Sequence, residues 1–222
     1  NDLISKHRNL KPFVRPLIGA KEFMSGSSRY CLWLVNAPAS VLTIPFVKER
    51  ISKVKKYRAG SSRNATKELA NYPALFGEIR DKAGPFIIVP RHGSDKREYL
   101  SVGFFSKGEI AHDSCLFVPD GSLLDFSILS SKMHMAWLKQ VGGKIKNDYR
   151  YAVKTIYNTF PMPPIKDQVK MASYAKGILD ARSKFPTSTL AELYDPDIMP
   201  AALRKAHIAN DKAVDKLYRN NG

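Results

Sequence analysis

Acidic side chains are scarce in this 222-residue sequence: 20 Asp and Glu stand against 36 Lys and Arg, a net charge of +16. Cysteine is scarcer still. Cys31 and Cys115 alone are too few for a disulfide framework or a Cys-rich metal site. Both lie in apolar, strand-like runs, so buried reduced thiols in a cytoplasm are expected. No apolar run approaches the ~18 residues of a membrane span, and no signal-peptide pattern opens the chain. Neither G-x-G-x-x-G nor G-K-[ST] follows a predicted strand, which excludes a phosphate-cradling loop. H-E-x-x-H and Cys/His clusters are missing, so no metal site is expected. Glu78 and Asp81 lie near Lys82, but their spacing matches no metal-holding nuclease pattern. No catalytic residue is assigned. With 44% hydrophobic and 10% aromatic residues, intrinsic disorder is excluded too.

The cationic surplus is the first positive sign. It favours a polyanionic partner, nucleic acid before an anionic membrane surface, over a merely basic soluble protein. Residues 1–100 carry +11, residues 101–150 carry +1 and residues 151–222 carry +4. The surplus belongs mainly to the first hundred residues.

The chain starts at Asn1 without a methionine, as an excised piece of a longer protein would. Leu10 to Met24, with Pro12, Pro16 and Gly19, reads as an extended connector with a short turn. Arg29–Val35 reads as a buried strand. From Pro45 to about Leu69 the period becomes helical: Val47, Ile51, Val54, Arg58, Ser61, Ala65 and Leu69 fall within about 40° of one line at 100° per residue. Lys56, Arg63 and Lys67 then form a basic ridge on the other side, with Lys53 at its edge. Gly60-Ser61-Ser62 allows a kink or a break into two helices. Leu75–Arg80, Pro85–Val89, Tyr99–Phe105 and His112–Val118 are short strand candidates, separated by turns that include Asp81-Lys82-Ala83-Gly84. Helices are predicted at Leu123–Leu129 and Ser131–Val141. From Asp148 onward the chain reads all-helical, with helices at Ile165–Phe185 and Pro200–Leu217. His134, between Met133 and Met135, is expected to be packed rather than to act as a base.

The middle of the chain has loop chemistry suited to DNA. Arg91-His92-Gly93-Ser94-Asp95-Lys96-Arg97 joins two predicted strands and supplies donors and acceptors able to reach base edges. Arg80, Lys107, Glu109 and His112 flank neighbouring strand ends. Each of these alone is compatible with a solvated hairpin tip; with the ridge they make a group.

Certain strings go further. Phe13-Val14-Arg15-Pro16-Leu17-Ile18-Gly19-Ala20-Lys21-Glu22-Phe23 followed by Arg29-Tyr30-Cys31-Leu32-Trp33-Leu34 resembles the entry to a target-recognition domain of the MmeI-like DNA methyltransferases. Leu75–Arg80 and Ile88-Val89-Pro90-Arg91 are similar to strands of that domain, and Ser130-Ser131-Lys132-Met133-His134-Met135-Ala136-Trp137 to its most specific signature. Asp148-Tyr149-Arg150-Tyr151, Tyr157-Asn158-Thr159-Phe160-Pro161, Leu193-Tyr194-Asp195-Pro196 and Met199-Pro200 resemble the family's helical C-terminal domain.

The resemblance implies an α+β fold: a recognition domain with a mixed or antiparallel sheet and flanking helices over 1–147, then a small all-helical domain over 148–222. It implies sequence-specific binding of double-stranded DNA for a bacterial, cytoplasmic restriction-modification enzyme that methylates adenine at N6. The parent would use S-adenosylmethionine in a methyltransferase domain of the same polypeptide, whose Asn-Pro-Pro-Phe/Tyr motif is missing here. This chain would therefore be inactive alone and carry no cofactor. Lys53, Lys56, Arg63 and Lys67 would meet phosphates; Arg80, Arg91, His92, Asp95, Lys96, Arg97, Lys107, Glu109 and His112 would read bases. These groups are expected to share one concave side. The competing expectation is a basic RNA- or protein-binding module without a methyltransferase partner.

Overall fold

The computed structural model describes residues 2–80, 84–164 and 167–219. The first three residues of the turn predicted at 81–84, and the first two of the helix predicted from 165, lie outside them. The chain divides into two compact units, Asn1–Leu17 with Arg29–Asp81, and Ile18–Ser28 with Lys82–Gly222.

Up to residue 80 the elements are α1 (Asp2–Lys6), β1 (Val14–Ile18), α2 (Ala20–Ser25), β2 (Tyr30–Leu32), α3 (Ala39–Leu42), α4 (Pro45–Ala59) and α5 (Asn64–Glu68); α2 belongs to the second unit. The expected connector at 10–24 thus holds a strand and a helix. β1 and β2 pair antiparallel, Val14 opposite Leu32 and Pro16 opposite Tyr30. Leu10, Leu34, Val41, Ile44 and Val47 form the core of the first unit. Pro45 opens α4, where its fixed φ suits the first turn and its missing N–H costs nothing.

The helical pattern over 45–69 is interrupted: α4 ends at Ala59 and α5 starts at Asn64. Glycine and serine are poor helix formers. Ser61 Oγ also accepts from the Arg63 N–H at 3.2 Å, a local bond that competes with the helix ladder. Residues 75–80, predicted as a strand, form bends and irregular backbone instead. Arg58, described below, claims the first of their carbonyls.

The second unit adds β3 (Phe86–Pro90), β4 (His92–Gly93), β5 (Gly103–Phe105), β6 (Ile110–Ala111), β7 (Cys115–Pro119), α6 (Leu123–Leu129), α7 (Lys132–Val141), β8 (Gly143–Ile145), β9 (Asp148–Arg150), a π-helical turn (Val153–Tyr157), α8 (Gln168–Ser183), α9 (Leu190–Leu193) and α10 (Ala201–Arg219). β3 lies between β5 and β7, antiparallel to both. Its unbroken apolar run is explained by burial on both faces: Ile87 and Val89 join the main core, while Phe86 and Ile88 pack with Ala111 and Cys115. Gly103 is required by close approach, since a Cβ there would meet the Phe23 ring at 2.3 Å. Ser122 and Ser131 cap α6 and α7 by accepting from the N–H groups of Asp125 and His134.

Asp148–Arg150, expected to open an all-helical stretch, is instead strand β9, sandwiched between β4 and β8. The two-residue turn Lys146-Asn147, with Lys146 at φ 56°, folds β9 back onto β8. Helical structure follows, and α10 docks through a stripe of Leu203, His207, Asn210, Asp211 and Val214. Three of those five are polar. Tyr99 Oη donates to Asp211 Oδ2 at 2.8 Å, Lys132 N to Asp211 Oδ1 at 2.8 Å, Ser127 Oγ to Asn210 Oδ1 at 2.5 Å, and Asn210 Nδ2 to the Ser127 carbonyl at 2.9 Å.

Candidate nucleic-acid interface

In the first unit the cations are concentrated on α4. Lys48, Arg50, Lys53, Lys55 and Lys56 are exposed. Lys53 Nζ lies 2.5 Å from Glu49 one turn earlier, a pair that orients the side chain and adds little stability at the surface. Arg50 lies over the Phe46 ring, 5.0 Å from its centroid. The expected ridge continues on a second element. Arg63 is the N-cap residue of α5 and Lys67 lies in its last turn, both exposed, so Arg63 and Lys67 are not on the helix that carries Lys53 and Lys56.

Arg58 turns the other way, half-buried. Its Nη1 donates to the carbonyls of Leu69 and Tyr72 at 3.0 Å each, and its Nη2 to that of Leu75 at 2.8 Å. Those carbonyls are thereby held in a tight turn rather than a strand ladder. Replacing Arg58 by Ala should cost about 2–3 kcal/mol of stability, because three acceptors lose a charged donor. Lys should recover less than half of this, since a single ammonium cannot span the fork's reach. Denaturant unfolding measures it; an Ala variant within 0.5 kcal/mol of the parent would refute the clamp. Arg80 pairs with Glu78, its Nε donating at 2.7 Å, and its side chain is only 15% exposed.

In the second unit the loop 91–97 is partly strand. His92 stands opposite Arg150 and Gly93 opposite Tyr149 across the β4–β9 pair. Arg91 N donates to the Ser114 carbonyl at 2.9 Å and its Nε to the Asp113 carbonyl at 2.5 Å. The structure therefore brings Arg91 to the turn that carries His112, whose Nδ1 accepts from the Ser114 N–H at 3.1 Å. Lys107 is exposed in the β5–β6 turn. Glu109 sits in the same turn, accepting from the Ser106 N–H at 2.7 Å, so its carboxylate already has a structural task. Asp95 is half-buried and Lys96 exposed. Arg97 is half-buried, with Nη1 3.9 Å from Met24 Sδ. Burial lowers its pKa, opposed by the carboxylates of Asp195 and Asp148.

Sequence reasoning missed a cationic group on the small β4–β9–β8 sheet. Lys144 lies on β8, Lys146 in the turn and Arg150 on β9, with Lys139 at the end of α7; all four are exposed. The ammonium groups of Lys144 and Lys139 lie 5.2 and 5.8 Å from the Tyr149 ring centroid, within cation–π range. The alternation at 143–150 was the available signal; it was obscured by assigning residues from 148 to helix.

His134 is fully buried; its Nε2 lies 2.8 Å from Tyr151 Oη, and burial pulls its pKa down to about 4. It is a packed residue, as expected. Cys115 is buried and Cys31 half-buried, and burial pushes the Cys31 thiol's pKa up. Among the described residues no group of three or more His, Cys, Asp or Glu could hold a metal ion, and no helix is long and apolar enough to cross a membrane.

Comparison with known proteins places this arrangement. The family described as "MmeI, target recognition domain" matches residues 1–164 and "MmeI, C-terminal domain" matches 162–222. The chain belongs to the MmeI target-recognition family. This MmeI-type chain is 37% identical over 223 residues to DNA methyltransferase A of Bacillus subtilis (strain 168), covering 98% of itself and 25% of that protein. It superposes on a solved structure of the Type IIL restriction-modification enzyme MmeI in complex with DNA with a TM-score of 0.94 at 37% identity. That match covers all of this chain and 30% of the other. The MmeI-type chain thus spans a quarter to a third of the length of these relatives. The α+β architecture with small antiparallel sheets and a helical C-terminal region is the one expected.

Proposed function

We propose that this chain is the sequence-specific double-stranded DNA recognition module of a bacterial restriction-modification enzyme that methylates adenine at N6. The observation that carries the reading is likeness over the whole chain to an enzyme solved with DNA bound, joined to a surplus of +11 in the first hundred residues. Residues 1–147 would grip DNA, and residues 148–222 would support them and the remaining domains. Lys53 and Lys56 on α4, with Arg63 and Lys67 on α5, would neutralise phosphates and set register. Arg91 is the best-prepared base reader: its Nε is anchored on the Asp113 carbonyl, which aims the terminal amines as a fork suited to the two acceptors of guanine. His92, Asp95, Lys96, Lys107 and His112 would serve beside it, and a carboxylate at Glu109 could accept from a cytosine amino group. Arg80 and Arg97 would act from half-buried positions.

S-adenosylmethionine would bind a methyltransferase domain of the same polypeptide, in the cytoplasm. No Asn-Pro-Pro-Phe/Tyr string is present here to take part in that chemistry. An adenine must leave the base stack to expose N6, at a cost of a few kcal/mol, and grip on the flanking duplex helps to offset it.

The test is a salt titration of duplex binding. Replacing Lys56 and Arg63 by Ala should weaken all sequences alike and make the slope of log affinity against log salt shallower by about 1–2. A slope equal to the parent's would remove both from the phosphate contacts. Equal affinity for RNA and DNA duplexes in competition would favour the RNA-binding alternative.

A further inference from the structure

Tyr57 is 80% exposed in the last turn of α4. Tyrosine is a weaker helix former than Lys, Glu or Ala, so an exposed helical position gains nothing from it locally. An aromatic ring left in water also forgoes its burial energy. Phe46, on the same helix, has its ring covered by Arg50; among the described residues Tyr57 makes no hydrogen bond and no ring contact.

Its mounting is rigid. The next residue, Arg58, is fixed by three carbonyls from the 69–75 segment, which immobilises the helix end that carries the ring. Lys53 and Tyr57 stand one turn apart and about 40° apart around the axis, with Lys56 about 100° from Tyr57 on the far side of Lys53. Both lysines are exposed, and Glu49 steadies Lys53. An aromatic ring with two cations beside it on one helix can meet a duplex through both its phosphates and the apolar faces of its deoxyriboses.

We propose that Tyr57 is a DNA-contact residue whose ring packs on the deoxyribose face of the bound duplex's backbone while Lys53 and Lys56 meet the neighbouring phosphates. This rests on the DNA-binding reading above. A ring has only two side-chain torsions to fix, so such a contact has a low ordering cost.

Binding of the full chain to a labelled duplex, read by anisotropy across a salt series, tests it. Tyr57→Ala should weaken binding about tenfold at every salt concentration with the parent's slope, the loss expected from removing one partly buried aromatic contact. Tyr57→Phe should stay within about twofold, because the ring and not the hydroxyl carries the contact, whereas Lys56→Ala should flatten the slope by about 1. The thermal midpoint of Tyr57→Ala should be no lower than the parent's, since the side chain supports nothing else and Ala is the better helix former. An unchanged affinity for Tyr57→Ala overturns the contact while leaving the DNA reading intact. So does a Phe variant as weak as the Ala variant, or a Tyr57→Ala slope shifted like that of Lys56→Ala. Failure of the parent chain to bind any duplex overturns both.

Discussion

Acidifying the protein from pH 7 to pH 4 is expected to remove about 3 kcal/mol of folding stability through His134 alone. The imidazole is held neutral in a dry site, with its pKa pulled down to about 4 from the ordinary 6.5. A histidine whose folded pKa lies below its unfolded one costs nothing at pH 7, where both states are neutral. As the pH falls below about 6.5 the unfolded chain takes up a proton that the folded one refuses, so stability drops until the folded pKa is reached. His207 adds to the effect with the same sign. It is fully buried, stacked 4.0 Å from Tyr99 and bonded through Nε2 to Tyr194 Oη at 2.7 Å. Burial first, and then the Arg182 guanidinium, push its pKa well down.

Carboxylates act elsewhere on the scale. Glu98, held low by Arg204 and Lys132, loses its contribution as the pH falls through the ordinary carboxylate value toward its own lower one. Asp211, raised mainly by burial, works in the opposite direction, since its folded form protonates first. Between pH 6.5 and 5 the fall in stability comes from the histidines, and Asp211 can only oppose it. Unfolding free energies measured across that interval should fall steeply in the parent and flatten in a His134→Gln, His207→Gln double variant. A parent profile already flat between pH 7 and 5 would contradict the dry environment assigned to both rings.

The second large effect is expected at Asp211. Its two carboxylate oxygens accept from Tyr99 Oη and from the Lys132 N–H, tying α10 to the start of α7 and to the segment before β5. Asp211→Ala leaves a buried hydroxyl and a part-buried amide without an acceptor, and should cost about 3 kcal/mol. Asp211→Asn keeps one carbonyl oxygen and should cost about half as much. Tyr99→Phe removes one of the orphaned groups, so the double variant Tyr99→Phe, Asp211→Ala should be more stable than the sum of the single losses implies. Additive losses would mean that the two side chains do not support each other.

Parts of this architecture were legible in order along the chain. The helices at 131–141 and 201–219 have strong amphipathic periods, and serine or proline punctuation marks them and the apolar helix at 123–129, so local signals announce all three. β3 was legible for another reason: only a strand buried on both faces has such an unbroken apolar run, and Ile87 and Ile88 do enter different cores. The irregular course of 75–80 was not legible. Its apolar residues fit a strand locally, whereas Arg58, 17 residues away, takes the Leu75 carbonyl at its start. β9 was hidden because three residues carry too little period to compete with the helical signals that follow.

The amino-acid order by itself determined the large positive charge and its bias to the first hundred residues, the absence of metal and nucleotide motifs, the family, and the packed rather than catalytic place of His134. Tertiary structure alone decided how individual cations are used. A guanidinium has the same charge wherever it stands, but its neighbours decide its work. Arg58 closes a turn by satisfying three backbone acceptors, Arg97 lies half-buried near Met24, and Arg91 has its Nε on the Asp113 carbonyl. Those partners are 11 to 73 residues distant along the chain, and local periodicity does not encode contacts at that range.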